Sequence, residues 1–274
     1  MRKIIVAVAP VAQTPQTLVK NPLTPEEVAA DVIGCSKAGA SMVHLHPRDR
    51  EGNPTFNLTE FSKTLDLIRN ESEIIIQGST GGISDLTLEE RCVAVNEPRV
   101  ELASLNMGSA NFDDGVYINT LPDIRYWAGR MREKNVLPEL EIFEAGMVNN
   151  TMILAKEGHL KPPFAFAFCL GFHGCLPASA YNLQFLAGMI PNDSTWGLIH
   201  HGMTDLSLLA AAAGMGADFV RVGYEDSIYY APGKVGRNNT ELVEKIVALI
   251  HNMGLEVASP QEAREMLGLK EIKS

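Results

Sequence analysis

The stretch KIIVAVA at residues 3–9, followed by TPEE at residues 24–27, contains the first strand and the start of the first helix. The apolar run at 3–9 is typical of a parallel strand that is buried on both faces. In TPEE, Thr24 is a favoured N-cap residue, Pro25 suits the first helical position, and the two glutamates favour the positive end of the helix dipole. We predict a strand and then a helix that ends near Gly39, since glycine readily takes the left-handed conformation of a helix end.

The same alternation continues through the rest of the chain. Further strands are predicted at residues 41–45, 73–77, 100–105, 139–143, 164–170, 196–199 and 218–222, and further helices at residues 58–69, 88–95, 123–133, 148–156, 182–189, 206–213 and 240–253. Eight strand–helix units in about 250 residues match a closed barrel of parallel strands. We therefore predict an α/β fold, a (β/α)8 TIM barrel, with residues 1–274 as a single catalytic domain. An open doubly wound sheet is disfavoured because no G-x-G-x-x-G follows the first strand.

The composition excludes several classes of partner. The chain has 274 residues, a net charge of −10 and no cluster of five or more Lys and Arg residues, which argues against nucleic acid and anionic membrane surfaces. No apolar run approaches the roughly 18 residues of a membrane span, and the apolar start is too short for a signal peptide. The four cysteines are widely spaced and form no C-x-x-C pair. We predict a cytoplasmic protein with reduced thiols.

Two histidines end the second predicted strand. His44 and His46 are two residues apart in HLHPR, so both imidazoles face the same side of the strand. The carboxyl ends of barrel strands form the mouth where active sites lie. Two neutral imidazoles there provide half of a site for a divalent ion, with zinc the first choice. The structural alternative is a pair of histidines with independent hydrogen bonds.

The end of the eighth predicted strand, RVGYED at residues 221–226, adds to this pattern. Arg221, Gly223 and Glu225 share one face, and a buried Arg or Glu is costly unless it is paired or bound to a ligand. Glu225 can complete a His₂Glu metal site with an open fourth position, and Gly223 can leave room for substrate. An Arg221–Glu225 ion pair of purely structural function is the alternative.

The ends of the third and fourth strands are rich in small and polar residues. Ser79, Thr80, Gly81 and Gly82 follow strand three, where free backbone N–H groups can form a nest for an anion such as a carboxylate. Ser104 and Asn106 share one face of strand four and can hydrogen-bond one ligand. We predict a substrate-binding site from these residues.

The ends of strands five and seven supply further candidates. Glu144 follows strand five and either orients a ligand histidine or serves as a structural acceptor. His200 and His201 close strand seven, and adjacent residues of a strand point in opposite directions. At most one of these two histidines is therefore expected to face the site.

Taken together, these motifs resemble those of the β-keto acid cleavage enzymes. The resemblance extends over nearly the whole chain and is carried by TPEE at 24–27, HLHPR at 44–48, STGG at 79–82, SLNMGSANF at 104–112, FEAGM at 143–147 and RVGYED at 221–226. Several ordered motifs at a spacing that fits a barrel are far more specific than any one of them alone.

The resemblance implies a site, a reaction and an assembly. It implies a zinc ion bound by His44, His46 and Glu225, and contacts with the substrate carboxylate from Ser79, Ser104 and Asn106. It also implies a catalytic pair, with Asp226 as general base, directly or through a water, and Arg221 stabilising an oxyanion or orienting a thioester. The implied small-molecule partners are a β-keto acid and acetyl-CoA, which give acetoacetate and a new acyl-CoA. A homo-oligomer is also expected, with a tetramer favoured.

Two departures from the family pattern affect the substrate. Family members that accept ammonium-bearing substrates have a glutamate just after strand one, where this chain has Gln13. A neutral amide cannot balance an ammonium group, so we predict a substrate whose distal end is uncharged or only polar. The loop at 199–203 also lacks the glycine–arginine pattern of the family, which leaves its ligand contacts open.

Other classes of protein share parts of this pattern. Zinc hydrolases of the amidohydrolase type use H-x-H on strand one and an Asp on strand eight, whereas this chain has the pair on strand two and Glu225 on strand eight. Another class of lyase has H-x-H on strand seven, where this chain lacks the spacer. A non-catalytic barrel that binds a metabolite is the alternative from outside the enzymes.

Overall fold

The computed structural model describes residues 1–14, 16–81 and 86–269. In these residues eight parallel strands form a closed barrel: β1 Lys3–Val8, β2 Met42–Leu45, β3 Ile75–Gly78, β4 Leu102–Asn106, β5 Leu137–Ile142, β6 Ala165–Leu170, β7 Thr195–His200 and β8 Phe219–Val222. The barrel closes where β8 pairs with β1, with Ile5 opposite Phe219 and Val8 opposite Val222. The predicted (β/α)8 barrel is confirmed.

A helix follows each strand of the barrel. The helices of the described residues are α1 Pro25–Lys37, α2 Thr59–Arg69, α3 Leu88–Arg91, α4 Leu121–Lys134, α5 Gly146–Lys156, α6 Ala180–Ala187, α7 Ser207–Met215, α8 Asn239–Asn252 and α9 Pro260–Leu267. Thr24 caps α1 as predicted, because its side chain accepts from the Glu27 N–H and the Glu27 carboxylate accepts from the Thr24 N–H. Nowhere in the described part of the chain does a helix combine the length and apolar character needed to cross a membrane.

Several short elements were not predicted. Strand Glu256–Val257 pairs with the beginning of β1, and hairpins form from Ala110–Phe112 with Gly115–Tyr117 and from Tyr229–Ala231 with Lys234–Val235. The predicted helix at 88–95 is divided at Cys92 into α3 and a 3-10 turn, Val93–Asn96. Helix α9 covers the amino-terminal end of the barrel, where Arg264 forms a buried ion pair with Glu101.

The register of the strands carries polar side chains into the barrel. Neighbours in parallel strands point to the same side of the sheet, and His44 lies opposite Gln77 while Arg221 lies opposite Ala7. Phe168 of β6 and Trp196 of β7 take outward positions, and their apolar rings stack on each other outside the barrel. The polar interior therefore opens at the carboxyl ends of the strands, where the first residues of the following loops continue it.

Candidate active site

Three candidate metal ligands converge at the mouth of the barrel. The ligand atoms of His44, His46 and Glu225 all lie within 4.8 Å of one another. His44 Nε2 lies 3.3 Å from His46 Nε2, and the two Glu225 oxygens lie 3.6 Å from His44 Nε2 and 3.4 Å from His46 Nε2. The barrel thus brings the end of β2 and the loop after β8 to one point. This is the position that we predict from the two-residue spacing of His44 with His46 and of Gly223 with Glu225.

Gln77 fixes the orientation of the His44 ring. Its side-chain oxygen lies 2.8 Å from His44 Nδ1, and an amide oxygen can only accept, so Nδ1 carries the hydrogen. The lone pair of His44 Nε2 then faces His46 and Glu225. Burial lowers the pKa of His44 to about 3 despite the attraction of Glu225, so the ring is neutral. A neutral, oriented imidazole is the form that binds a metal ion.

The donor set fits a divalent cation. Gln13 Nε2 lies 3.1 Å from His46 Nε2 and 3.3 Å from a Glu225 oxygen, so the amide N–H groups face both acceptors. Together with His44 Nε2, these acceptors form a cluster of two imidazole nitrogens and one carboxylate whose electron pairs converge. Such a set is stabilised by a positive charge at its centre, and two histidines with one glutamate are a known zinc set with one open position.

A buried ion pair adjoins the candidate ligands. The Arg221 guanidinium binds the Asp226 carboxylate through two hydrogen bonds of 2.7 and 2.6 Å, whereas its contact with Glu225 is 3.4 Å long. The main partner of Arg221 is therefore Asp226. Burial raises the pKa of Asp226 above its ordinary value, although the guanidinium opposes this. Arg221 Nη1 forms no hydrogen bond within the described residues, so one buried donor remains available for a ligand.

The backbone conformation explains why residue 223 is a glycine, whereas we predicted that this glycine leaves room for substrate. Its φ is +132°, and a Cβ there would lie 2.3 Å from the carbonyl oxygen of Ala9. The glycine allows the chain after β8 to pass close to β1, where the Glu225 N–H donates to the same oxygen at 3.1 Å. The expectation that Gly223 provides space for substrate is wrong, because the chain at the end of β1 already occupies that space.

The turn after β3 lies beside the candidate ligands. A Cβ on Gly81 would be 3.8 Å from His46 Cε1. The predicted nest of free backbone N–H groups is wrong for residues 79–81, since these groups donate to Leu45 O, Ser104 Oγ and Ser79 Oγ respectively. Gly82 lies outside the described residues. Any ligand at residues 79–81 would be bound by the Ser79 hydroxyl instead, since the Thr80 hydroxyl donates to the Ser104 carbonyl.

Ser104 and Asn106 both point into the barrel from β4. The Ser104 hydroxyl accepts from the Thr80 N–H, and the Thr80 hydroxyl donates to the Ser104 carbonyl, so the Thr80 side chain is used within the fold. Asn106 Oδ1 accepts from the Gly108 N–H at 3.2 Å. Asn106 Nδ2 is buried and forms no hydrogen bond within the described residues, which makes it a second donor available to a ligand.

Sequence reasoning did not identify Glu139 and Glu141, two buried acids of β5. They lie opposite Ser104 and Asn106 and point into the barrel with them. Burial raises the pKa of Glu139 to about 7 and that of Glu141 to about 8, with the Arg221 guanidinium opposing both shifts. The pattern that reveals them is LPELEI at 137–142, where two acids alternate with apolar residues in a buried strand.

Glu144, Gln13 and the two histidines after β7 take different positions. Glu144 lies two residues after the end of β5, and the Leu176 N–H is near its carboxylate. Gln13 lies at the mouth and accepts from Arg48 Nη2 at 2.8 Å. His201 continues the inward positions of β7 and His200 the outward ones. The prediction that at most one of these two histidines faces the site rests on this alternation and stays a prediction.

The barrel and the convergence of two histidines with a glutamate at its mouth define a (β/α)8-barrel enzyme with a candidate metal centre. Comparison with known proteins gives the family: the profile of the beta-keto acid cleavage enzymes matches residues 3–269. The chain belongs to the beta-keto acid cleavage enzyme family, and the resemblance seen in its motifs is confirmed.

Individual relatives agree with this assignment. The chain is 38% identical over 275 residues to a 3-keto-5-aminohexanoate cleavage enzyme of Fusobacterium nucleatum subsp. nucleatum, covering 98% of this chain and 99% of the relative. It is 30% identical over 300 residues to a 3,5-dioxohexanoate:acetyl-CoA acetone transferase of Paraburkholderia graminis, covering 98% and 96% of the two chains. A solved ternary complex of ObcA with a C4-CoA adduct and oxalate shares the fold, with a TM-score of 0.75, 20% identity, and coverage of 91% of this chain and 67% of that one.

Proposed function

We propose that this protein is a zinc-dependent enzyme that converts a β-keto acid and acetyl-CoA to acetoacetate and a new acyl-CoA. The convergence of His44, His46 and Glu225 beside the Arg221–Asp226 ion pair carries the proposal. The names of relatives support it, since the Paraburkholderia graminis protein is called an acetyl-CoA acetone transferase. A second relative, from Cupriavidus necator, is called a 3-oxoadipate:acetyl-CoA acetyltransferase.

Zinc suits the three candidate ligands. Imidazole nitrogen and carboxylate oxygen are its common ligands, and a set of three with an open position is typical of catalytic sites. His44, His46 and Glu225 would hold the ion, and Gln13 would turn its amide away from them. When bound there, the metal supplies a Lewis acid that stabilises negative charge on a keto oxygen.

The side chains around the candidate ligands supply binding and proton transfer. Ser79, Ser104 and Asn106 would bind the substrate carboxylate through their side-chain donors. Asp226 would remove the C2 proton, since burial raises its pKa and makes it a stronger base than an exposed aspartate. Arg221 holds the Asp226 carboxylate in place through hydrogen bonds. The remaining N–H groups of Arg221 would stabilise an oxygen that gains negative charge during the reaction.

The proposed reaction is a condensation followed by a cleavage. The C2 carbanion attacks the thioester carbonyl of acetyl-CoA, and the CoA thiolate leaves with the electron pair of the C–S bond. The thiolate then attacks the old C3 carbonyl, the C2–C3 bond breaks, and the acyl group remains on CoA. Asp226 returns its proton to C2, which gives acetoacetate.

Product analysis tests this function. Zinc-loaded protein is incubated with acetyl-CoA and a panel of β-keto acids, and acetoacetate and acyl-CoA are quantified by mass spectrometry. We expect acetoacetate that requires acetyl-CoA and disappears after chelation of the metal. No acetoacetate across the panel, with zinc bound, would contradict the proposal and direct attention to hydrolytic reactions.

We also propose that the protein acts in the cytoplasm as a homo-oligomer, a tetramer. An association of subunits is supported by one face of α6 and the residues just after it, where Tyr181, Phe185 and Met189 are four residues apart and are 77%, 45% and 40% exposed. Large apolar side chains grouped on one helix face are typical of a protein–protein interface. Light scattering after gel filtration measures the number of subunits.

Gln13 is expected to set the preference for the distal end of the substrate. Its neutral amide lies beside the Arg48 guanidinium, so position 13 offers no carboxylate to pair with an ammonium group. We expect neutral β-keto acids to exceed 5-amino-3-oxohexanoate in kcat/KM by about 10-fold or more, since a hydrogen bond to a charged group contributes about 1.5–3 kcal/mol. Steady-state kinetics of both substrates measures the ratio.

The variant Gln13→Glu provides the complementary test. We expect it to shift the ratio toward the ammonium substrate while the zinc content, measured by atomic emission, stays at the wild-type level. Comparable kcat/KM values of the wild-type protein for both substrates would contradict this assignment of Gln13.

Gln77 is expected to control metal affinity through His44. Replacing it with methionine keeps the length of the side chain but removes the oxygen that accepts from His44 Nδ1. Loss of such a partner typically weakens metal binding by about 10–100-fold. Competition with a chelating dye measures the change, and Gln77→Glu, which keeps an acceptor oxygen, is the matched control. Equal zinc affinity of Gln77→Met and wild type would contradict this function of Gln77.

A further inference from the structure

His201 occupies an inward position at the end of β7. Gly197 of this strand lies opposite the inward-facing Phe219, so the inward positions run through Gly197 and Ile199 to His201. The His201 N–H donates to the Leu170 carbonyl at 2.9 Å, which extends the pairing of β6 and β7 by one residue. The His201 imidazole is thereby directed to the same mouth as the candidate metal ligands.

An aromatic wall holds the plane of the His201 ring. His201 stacks on Phe172 with the ring centroids 4.3 Å apart and the planes 12° from parallel. Phe172 in turn contacts Phe112 and Phe143, each at 5.0 Å between centroids. These three phenylalanines, which we call the aromatic wall, follow the ends of β4, β5 and β6. They fix the imidazole at the edge of an apolar surface.

The nitrogens of the His201 ring are available to a ligand. Neither nitrogen forms a hydrogen bond to any other residue within 1–14, 16–81 and 86–269. The ring nevertheless lies near the proposed base, because the N–H of the next residue, Gly202, donates to the Asp226 carbonyl at 2.8 Å.

The two sides of the mouth differ in chemistry. The metal ligands and the polar donors of β3 and β4 lie on the side that suits an anionic keto acid. On the other side, the hairpin after β4 meets the loop after β6 and, with the ends of β5 and β7, presents the aromatic wall and the His201 imidazole. An apolar surface with one hydrogen-bond donor suits a thioester on a long, mostly uncharged arm.

We propose that His201 is a further catalytic residue, which donates a hydrogen bond to the thioester oxygen of acetyl-CoA while the arm of CoA lies along the aromatic wall. The inference rests on the proposed function. When the C2 carbanion adds to the thioester carbon, the C=O π pair moves onto the oxygen. It returns when the C–S bond breaks and the thiolate leaves. His201 keeps its proton throughout and stabilises the charge on the oxygen.

The variant His201→Phe keeps the stack on Phe172 and removes the N–H donor. We expect kcat/KM for acetyl-CoA to fall by about 100-fold, which is the usual effect of losing one such donor. Zinc content and the catalysed exchange of the C2 proton of the keto acid with D₂O, measured by NMR without acetyl-CoA, should remain at wild-type levels. His201→Gln, which keeps an N–H, should recover at least part of the loss, and His200→Gln, at an outward position, is the control.

Each outcome of this experiment has a distinct meaning. Wild-type acetyl transfer by His201→Phe overturns the proposal, and so does a loss of C2 exchange in that variant, since the residue would then act on the keto acid. Failure of the wild-type protein to form acetoacetate contradicts the proposed function instead. If His201→Phe does not fold, Phe172→Leu tests the aromatic wall: we expect a higher KM for acetyl-CoA with unchanged C2 exchange, and an unchanged KM overturns the proposal.

Discussion

Purified Glu225→Gln protein is expected to contain little zinc and to lose about a thousandfold or more in turnover. The substitution keeps the shape of the side chain but replaces a charged ligand oxygen by a neutral one. His44 and His46 would remain as the only two protein ligands of the three that converge in the described structure. Metal ions contribute several kcal/mol of charge stabilisation in such reactions, and about 4 kcal/mol corresponds to a thousandfold in rate.

The charge balance of the site adds to this effect. Burial works to raise the pKa of Glu225, but its charged surroundings, which include the Arg221 guanidinium, hold it below its ordinary value. Glu225 is therefore an anion that the site is built to keep ionised. Removing its charge takes one of two carboxylates away from Arg221, leaves the ion pair with Asp226, and weakens the attraction of the site for a cation.

Metal analysis and kinetics on the same preparations measure the result. Glu51→Gln is the matched control, because this exposed glutamate follows β2 in a loop at the same end of the barrel. We expect the control to keep wild-type zinc content and turnover. Stoichiometric zinc and full turnover in Glu225→Gln would show that Glu225 is not a ligand.

The fold was predictable because each barrel unit carries its own local pattern. Apolar runs and capped helices recur in order, and the strand ends at 44–46 and 221–226 follow the two-residue period of a strand. The strand Glu256–Val257 was not predictable in this way. It contains two residues, and it forms only because β1, some 250 positions earlier, offers a free edge at its beginning.

The predictions that were wrong at the site failed because of contacts between residues far apart in the sequence. The nest predicted after β3 is absent at residues 79–81 because hydroxyls of Ser79 and Ser104 and the Leu45 carbonyl already accept from these N–H groups. The choice of glycine at 223 reflects the approach of the chain at the end of β1. Glu139 and Glu141, by contrast, obey the same two-residue period as His44 and His46 and could have been identified from the sequence.

The substitution Asp226→Asn is expected to lower kcat by about 100- to 10,000-fold while the protein keeps its zinc. A positioned general base contributes a factor of this size, and an amide of the same shape cannot accept a proton from carbon. The oxygen of that amide would still accept one hydrogen bond from Arg221, whose two bonds to the wild-type carboxylate are 2.7 and 2.6 Å long. The guanidinium would lose its closest counter-charge, so some loss of stability is also expected.

The exchange of the C2 proton separates the function of Asp226 from that of its neighbours. Asp226→Asn should lose this exchange in the absence of acetyl-CoA, whereas His201→Phe should keep it and lose only the acetyl transfer. Asp113→Asn is the matched control, because Asp113 is 79% exposed on the hairpin after β4 and its left-handed backbone, with φ of 52°, suits asparagine. Unchanged turnover in Asp226→Asn would show that the base is a different group. The buried acid Glu141, which faces the same interior, would then be the next residue to replace, because burial raises its pKa to about 8 and brings it within range of a proton-transfer function.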